Sequence, residues 1–295
     1  MLKRLLFHLS FIGLFIPSYV FCQSESWLPT DSLDFWSDVM FNSKKYEYRD
    51  LGAQHVKDFL SRPELIHSNP KLNPNIVKLM PVDGLFQLYT WQYEGQEGNW
   101  IYDGVMVLKS GALIKLTREE RDYERIRFET FNADTWYGAV YFYLIPKTFG
   151  SDDHYILIGF AQNGNNEKFK IVEPLSLVNG RPIFGKAEFV RLDEDNKKEI
   201  RNRIVIRYSQ EANCSVTFNE AENQIVYDHI TSYEDPNSPN LIRFIPDGTY
   251  EAYDYKNGVW NYVEKLKNTE VKTPPREHPI LDNKSKNIFG KPVKK

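Results

Sequence analysis

The sequence predicts a mainly β fold with N-terminal helices (α+β), its body an antiparallel, hairpin-rich meander of sandwich or barrel-like form. Three features carry that prediction. From about Val77 to Leu266 apolar residues alternate with polar ones at period two, the spacing of strands with a covered face. The alternation is punctuated by Ser110-Gly111, Asn163-Gly164, Asn179-Gly180, Asp247-Gly248 and Asn257-Gly258, dipeptides that accept the positive φ angles of tight hairpin turns. Residues 27–62, by contrast, place their apolar side chains at helical spacing. Short successive hairpins argue against the strand–helix alternation of a parallel α/β fold. No fixed-period repeat points to a solenoid or propeller.

Taken in order, residues 1–22 have the form of a secretory signal. Lys3 and Arg4 make a basic start, Leu5 to Ile16 an apolar stretch, and Val20 and Cys22 occupy the −3 and −1 positions for cleavage before Gln23. The stretch is shorter than the ~20 residues of a spanning helix. A retained anchor and a lipidated Cys22 are the alternatives, the second opposed by bulky Phe21. Residues 23–75 form a helical cover. Thr30 or Asp31 caps a first helix with Leu33, Phe35, Trp36, Val39 and Met40 in one stripe. A second helix from Tyr46 to Leu60 buries Leu51, Val56, Phe59 and Leu60 and ends at Arg62-Pro63. Ser68 to Pro74 is a loop held extended by two prolines.

Residues 76–267 form the antiparallel β domain. Phe86, Leu88 and Thr90 face away from Tyr89, Trp91 and Tyr93. Trp136, Val140, Phe142 and Leu144 alternate with Tyr137, Ala139, Tyr141, Tyr143 and Ile145, and Ile204, Ile206 and Tyr208 with Arg203, Val205 and Arg207. Glu119–Arg127, charged and free of Gly and Pro, reads as a short helix. Asn179-Gly180 joins Pro174–Val178 to Arg181–Phe184, and Asn257-Gly258 joins Tyr250–Tyr255 to Val259–Val263, bringing Tyr255 near Trp260. Residues 268–295 are a basic, Pro-containing tail, predicted to be disordered.

Composition narrows the function. A chain of 295 residues with 41% hydrophobic and 15% aromatic content has ample surface for a packed core. A net charge of −3 argues against a general nucleic-acid binder. The charge is uneven: Glu264–Lys295 carries nine basic residues against four acids, which leaves the stretch from Gln23 to Val263 at −10. That tail suits solubility, or docking on an anionic surface. Two cysteines exclude a disulfide scaffold and a Cys-rich zinc module. Cys214 alternates with Val216 and Phe218 and is expected to be a core thiol. No later stretch reaches 18 apolar residues, so the mature chain is not expected to span a membrane.

Motifs for covalent, metal or nucleotide chemistry are missing. There is no G-x-S-x-G elbow and no phosphate-binding glycine loop. His55, His67, His154, His229 and His278 show no zinc spacing, so neither a metal nor a cofactor is expected. Asp153-His154 and Asp228-His229 are the candidate catalytic pairs. Neighbours on a strand point to opposite faces, so the acid cannot orient its own histidine, and a cross-pair such as His229 with Asp153 requires the strands to meet. Candidate ligand-binding residues are Tyr89, Trp91, Tyr93 and Trp100, whose rings offer a platform for sugars or a partner if exposed and a core if covered. Trp100 with Tyr102, and Trp260 with Tyr262, repeat the arrangement. Arg201, Arg203 and Arg207 share a strand face, suited to an anion or to cross-strand ion pairs.

Several segments resemble a group of uncharacterised exported β-rich proteins of Bacteroidetes-type bacteria. They are Tyr155–Phe160 with Asn163-Gly164-Asn165-Asn166, Ile171–Leu177, Gly180–Gly185, Arg203–Ser209, Ile225–His229, Asp247–Tyr253 and Lys256–Trp260. Phe160, Ala161 and Gln162 stand where that group tends to carry Trp and then Asp before the Asn-rich turn. The resemblance spans roughly residues 85–265 and implies an envelope or secreted location, with no established activity to transfer. The expected function is therefore an exported, non-catalytic binding or structural role, in the periplasm, at the outer membrane or secreted, with an envelope protein or glycan as partner. The alternative is a hydrolase of glycan or envelope polymer using two carboxylates of the β domain.

Overall fold

A computed structural model describes residues 29–62, 70–149, 153–164, 166–192, 197–234, 241–264 and 266. The signal segment, Pro63, His67 and the basic tail with His278 lie outside them. Two helices come first, α1 (Pro29–Asn42) and α2 (Tyr46–Leu60). α1 starts at Pro29, so Thr30 and Asp31 fall inside it and do not precede it as a cap. Leu33 and Met40 of the expected stripe are buried, whereas Phe35 is half exposed. On α2, Val56, Phe59 and Leu60 are buried and Leu51 is exposed.

Strands β1 (Val77–Leu79), β2 (Phe86–Glu94), β3 (Trp100–Leu108) and β4 (Leu113–Leu116) make a first sheet in chain order. Next come β5 (Phe131–Asn132), β6 (Val140–Ile145), β7 (His154–Asn163), β8 (Glu167–Val178) and β9 (Arg181–Phe184), which form a central sheet in the order β5-β9-β8-β7-β6. The remaining strands are β10 (Phe189–Leu192), β11 (Lys198–Arg201), β12 (Ile204–Ser209), β13 (Val216–Asn219), β14 (Gln224–Glu234), β15 (Ile242–Lys256) and β16 (Val259–Val263). Of these, β12 returns to the central sheet and pairs with Glu167–Val172 of β8, leaving Leu175–Val178 to β9. The rest form an outer sheet in the order β11-β10-β16-β15-β14-β13. Among the described strand pairs, only β10 with β16 is parallel.

Three cores stack these elements in layers. Tyr89, Trp91, Tyr93, Val105 and Val107 on one face of the first sheet pack against Leu33, Met40, Val56 and Phe59 of the helices. Phe86, Leu88, Tyr102 and Met106 on its other face meet Tyr141, Tyr155, Leu157, Phe169 and Leu175 of the central sheet. Ile156, Ile158, Val172, Ile204 and Ile206, on the far side of the central sheet, meet Phe189, Ile225, Tyr253 and Trp260 of the outer one. The order is helices, first sheet, central sheet, outer sheet. This is the predicted β-rich α+β class in its sandwich-like form; none of the described sheets closes into a barrel. Tyr155 to Ala161 reads as an almost unbroken apolar run because both faces of β7 are covered.

The turns separate the tight hairpins from a bulge. Asn179 and Gly180 take φ of 52° and 73°, Asn257 and Gly258 take 56° and 81°, and both pairs close two-residue hairpins as expected. Tyr255 pairs with Trp260, ring centroids 5.0 Å apart, a contact worth about 0.5–1 kcal/mol. Asp247-Gly248 differs. It lies inside β15, where the register with β14 shifts between Asp228 and Ile230, so the positive φ of Gly248 serves a bulge opposite His229. The helix expected over Glu119–Arg127 is absent: the Glu119 N–H donates to the Trp136 carbonyl, holding the chain extended, and only Arg125–Phe128 coils, as a 3-10 turn. Cys214 is buried in the core between central and outer sheets, where burial pushes its thiol up to about 12.

Candidate functional site

The aromatic candidates run from a covered core to a groove, with Tyr93 belonging to both. Tyr89 and Trp91 lie under the helices, so the platform expected there is closed. Tyr93, one step further along the same face of β2 and still in that core, and Trp100, at the start of β3, line a groove of about 530 Å³. Phe41 and Asn42 from the end of α1, Pro74, Asn75 and Val77 before and within β1, and Gln92 and Glu94 of β2 line it too, with Val140, Phe142 and Phe160 from the central sheet. The groove thus sits where the first sheet meets β6 and β7, under the end of α1.

One local irregularity puts Phe142 there. Tyr141 pairs with Gly159 and Tyr143 with Ile158, so Phe142 is an extra residue bulged out of β6. Alternation predicts Tyr141 and Ile145 on one face. The bulge inverts the phase, so Tyr141 enters the core towards the first sheet and Ile145 the core towards the outer sheet. Phe142 stays 40% exposed. The Lys170 ammonium lies 4.8 Å from its ring centroid and 5.5 Å from that of Phe160, and burial lowers the lysine pKa, with Lys168 adding to the effect.

Polar groups accompany the rings. Arg118 Nη1 donates to the Trp100 carbonyl at 2.7 Å and fixes the start of β3. Arg49 Nη2 donates to the Gly95 carbonyl at 3.1 Å, and its Nη1 stands 3.8 Å from exposed Glu94. Burial raises the Tyr93 phenol pKa, with the Asp50 charge adding to it. Gln92 carries a buried Oε1 with no hydrogen-bond partner among the described residues. A buried acceptor left so costs about 1–3 kcal/mol, which a donor entering the groove would offset.

The histidine candidates fall in two separate places. His154 is buried, its Nδ1 2.6 Å from Asp153 and its Nε2 2.9 Å from Glu188. Neighbouring acid and histidine do meet here, because Asp153 sits in the turn before β7, where strand alternation does not apply. Lys186 Nζ donates to Asp153 at 3.0 Å. His229 pairs through Nδ1 with Asp247 at 2.9 Å, across the bulge, while Asp228 accepts from the Ser215 N–H at 2.7 Å. Asp228 and His229 thus act apart, as alternation requires. His229 and Asp153 do not pair, since each contacts other groups.

Arg203 and Arg207 have different roles from one another. Arg203 is fully buried; its Nε donates to Glu173 at 2.8 Å and its Nη groups donate to the carbonyls of Ile126, Glu129 and Phe184. Tyr137 donates to the same carboxylate at 2.6 Å, as does Tyr141. Burial opposes the Arg203 charge, but Glu173 and the tyrosines more than restore it, leaving its pKa above the ordinary value. This saturated network is a core element. Arg207 pairs with Glu167 across β8 and β12 and lies 4.4 Å over the Phe244 ring. Among the described residues no cluster of His, Cys, Asp and Glu has the form of a metal site, and no helix is long and apolar enough to cross a membrane.

Sequence reasoning found Tyr93 and Trp100 but missed Phe41, Phe142, Phe160 and Gln92. Of these only Phe142 has a local signal, the out-of-phase aromatic in Tyr141-Phe142-Tyr143, which marks the bulge. No family model, curated protein or solved structure matches the chain.

Proposed function

We propose that the chain is an exported, non-catalytic binding protein of the bacterial envelope whose groove holds a neutral glycan. The groove lining carries the reading: Phe41, Tyr93, Trp100, Phe142 and Phe160 beside the amides of Asn42, Asn75 and Gln92. Aromatic rings cover the apolar faces of sugars at little entropic cost, and amides match hydroxyls as donor and acceptor together. The unpartnered Gln92 Oε1 favours a ligand bearing hydroxyl donors. The described lining includes one carboxylate, Glu94. Glycoside hydrolysis commonly uses two, so binding is the reading the groove favours over hydrolysis. Export rests on residues 1–22 and on the likeness of residues 85–265 to exported proteins.

Calorimetric titration of the protein, isolated from the envelope or medium with Gln23 as its first residue, with neutral oligosaccharides released from that envelope tests both halves. Saturable binding is expected, and Trp100→Ala should weaken it about tenfold, equivalent to about 1.4 kcal/mol. Titrations showing no binding, or an unchanged affinity in Trp100→Ala and Phe142→Ala, would remove the groove reading. A cytoplasmic protein starting at Met1 would remove export.

A further inference from the structure

A second cleft, of about 330 Å³, lies at the seam of the central and outer sheets. Arg127 of the 3-10 turn, Arg191 of β10, Arg201 of β11 and Arg207 of β12 all line it, facing Tyr227 and His229 of β14. Four guanidiniums from four elements converge there. Their ion pairs leave donors over: Arg201 spends Nε on Glu199 and Arg207 spends Nη2 on Glu167, while Arg191 lies 4.2 Å over the Tyr262 ring. The buried Nε groups of Arg127 and Arg207 have no hydrogen-bond partner among the described residues. The acids lining the cleft are engaged: Glu124 by Arg127 at 2.6 Å, Asp228 by the Ser215 N–H at 2.7 Å, and Glu251 by the Tyr262 hydroxyl at 2.5 Å.

A guanidinium N–H left without a partner at burial costs free energy that a bound oxyanion would offset. Burial holds the Arg127 guanidinium below its ordinary pKa, and the Arg201 charge pushes the same way against Glu124. The planar fork of arginine matches two oxygens of a tetrahedral oxyanion at once.

We propose that this cleft is an oxyanion site that takes a phosphate or sulfate group through the guanidiniums of Arg191 and Arg201, flanked by Arg127 and Arg207. The site is separate from the aromatic groove and independent of the glycan reading. The cleft is larger than a bare tetrahedral anion and has room for an ester carrying the group.

Titration of the full chain with inorganic phosphate, and separately with sulfate, at ionic strength matched with sodium chloride tests it by calorimetry. Saturable binding of one or both anions is expected, the tighter of the two naming the ester. Arg201→Gln should weaken it at least tenfold. Because that change also frees Glu199, Arg191→Gln is the second variant, and it should weaken binding with the melting temperature kept. Arg181→Gln, an exposed arginine on the β9 hairpin beside Asp134, should bind as the parent does. Failure of both anions to saturate, full binding in both cleft variants, or an equal loss in Arg181→Gln would overturn the proposal.

Discussion

The central sheet is covered on both faces and the outer sheet on one, and the two handle charge in opposite ways. In the central sheet, Glu173 and Arg203 are fully buried, and the carboxylate gathers two tyrosine hydroxyls and a guanidinium whose remaining bonds go to backbone carbonyls. In the outer sheet, Arg201 with Glu199 and His229 with Asp247 pair while keeping contact with water. Where no water can reach, every polar group needs a partner inside the protein. Where water can reach, donors can stay unspent for a ligand. The buried network is therefore structural.

The sharpest way to break that comparison is Arg203→Met. It leaves the Glu173 carboxylate buried with a charge no cation balances, and the expected loss is about 3–5 kcal/mol by chemical denaturation. Adding Glu173→Leu should recover part of it, because no charge is then left buried; the recovery stays incomplete, since the Tyr137 and Tyr141 hydroxyls lose their acceptor. A single substitution as mild as an outer-sheet one would show that the network is not sealed from water.

An intermediate effect is expected at the closing hairpin of the outer sheet. Gly258 holds φ at 81°, and a side chain added there would meet nothing within 4 Å. The cost of Gly258→Val is therefore conformational, about 1–2 kcal/mol, since a β-branched residue resists the left-handed region. Gly258→Asn should cost less, because asparagine tolerates that region. Equal melting temperatures for the two variants would mean that the turn relaxes into another type, and the Tyr255–Trp260 pairing with it.

How legible these regions were follows from what alternation can encode. It placed Asn179-Gly180 and Asn257-Gly258 in hairpins, because two consecutive residues with φ above zero suit few other structures. It misread Asp247-Gly248, since a single positive φ serves a bulge equally well. Period two separates two faces but does not say what covers them: Tyr89, Trp91 and Tyr93 went under helices, while Trp100 and the edge of Tyr93 reached the groove. The bulge at Phe142 and the arrival of Phe41 from α1 are tertiary facts with little local trace. Arg203 reads from the sequence as facing an anion or a cross-strand ion pair; the second holds, but its partner Glu173 lies thirty positions away along the chain, on β8, and nothing local signals that both are fully buried.

The smallest expected effect concerns acid, and it sharpens the contrast at the bulge. Asp247 is held at about 2, chiefly by the side-chain and backbone hydrogen bonds from Thr249 and then by His229, against an ordinary value of 3.8. Its folded-state value lies below the unfolded one, so the ionised form favours the folded state. The contribution is complete above the unfolded value and is lost as pH falls from about 4 through 2. Because Asp247 faces water, the effect on overall stability is small, and the titration itself is the measurement. Carboxyl NMR should show Asp247 moving up towards 3.8 in Thr249→Val, and by less in His229→Gln. The reverse order would make the imidazolium the main hold on Asp247, and the bulge would then be organised by charge pairing across the strands and not by its own turn.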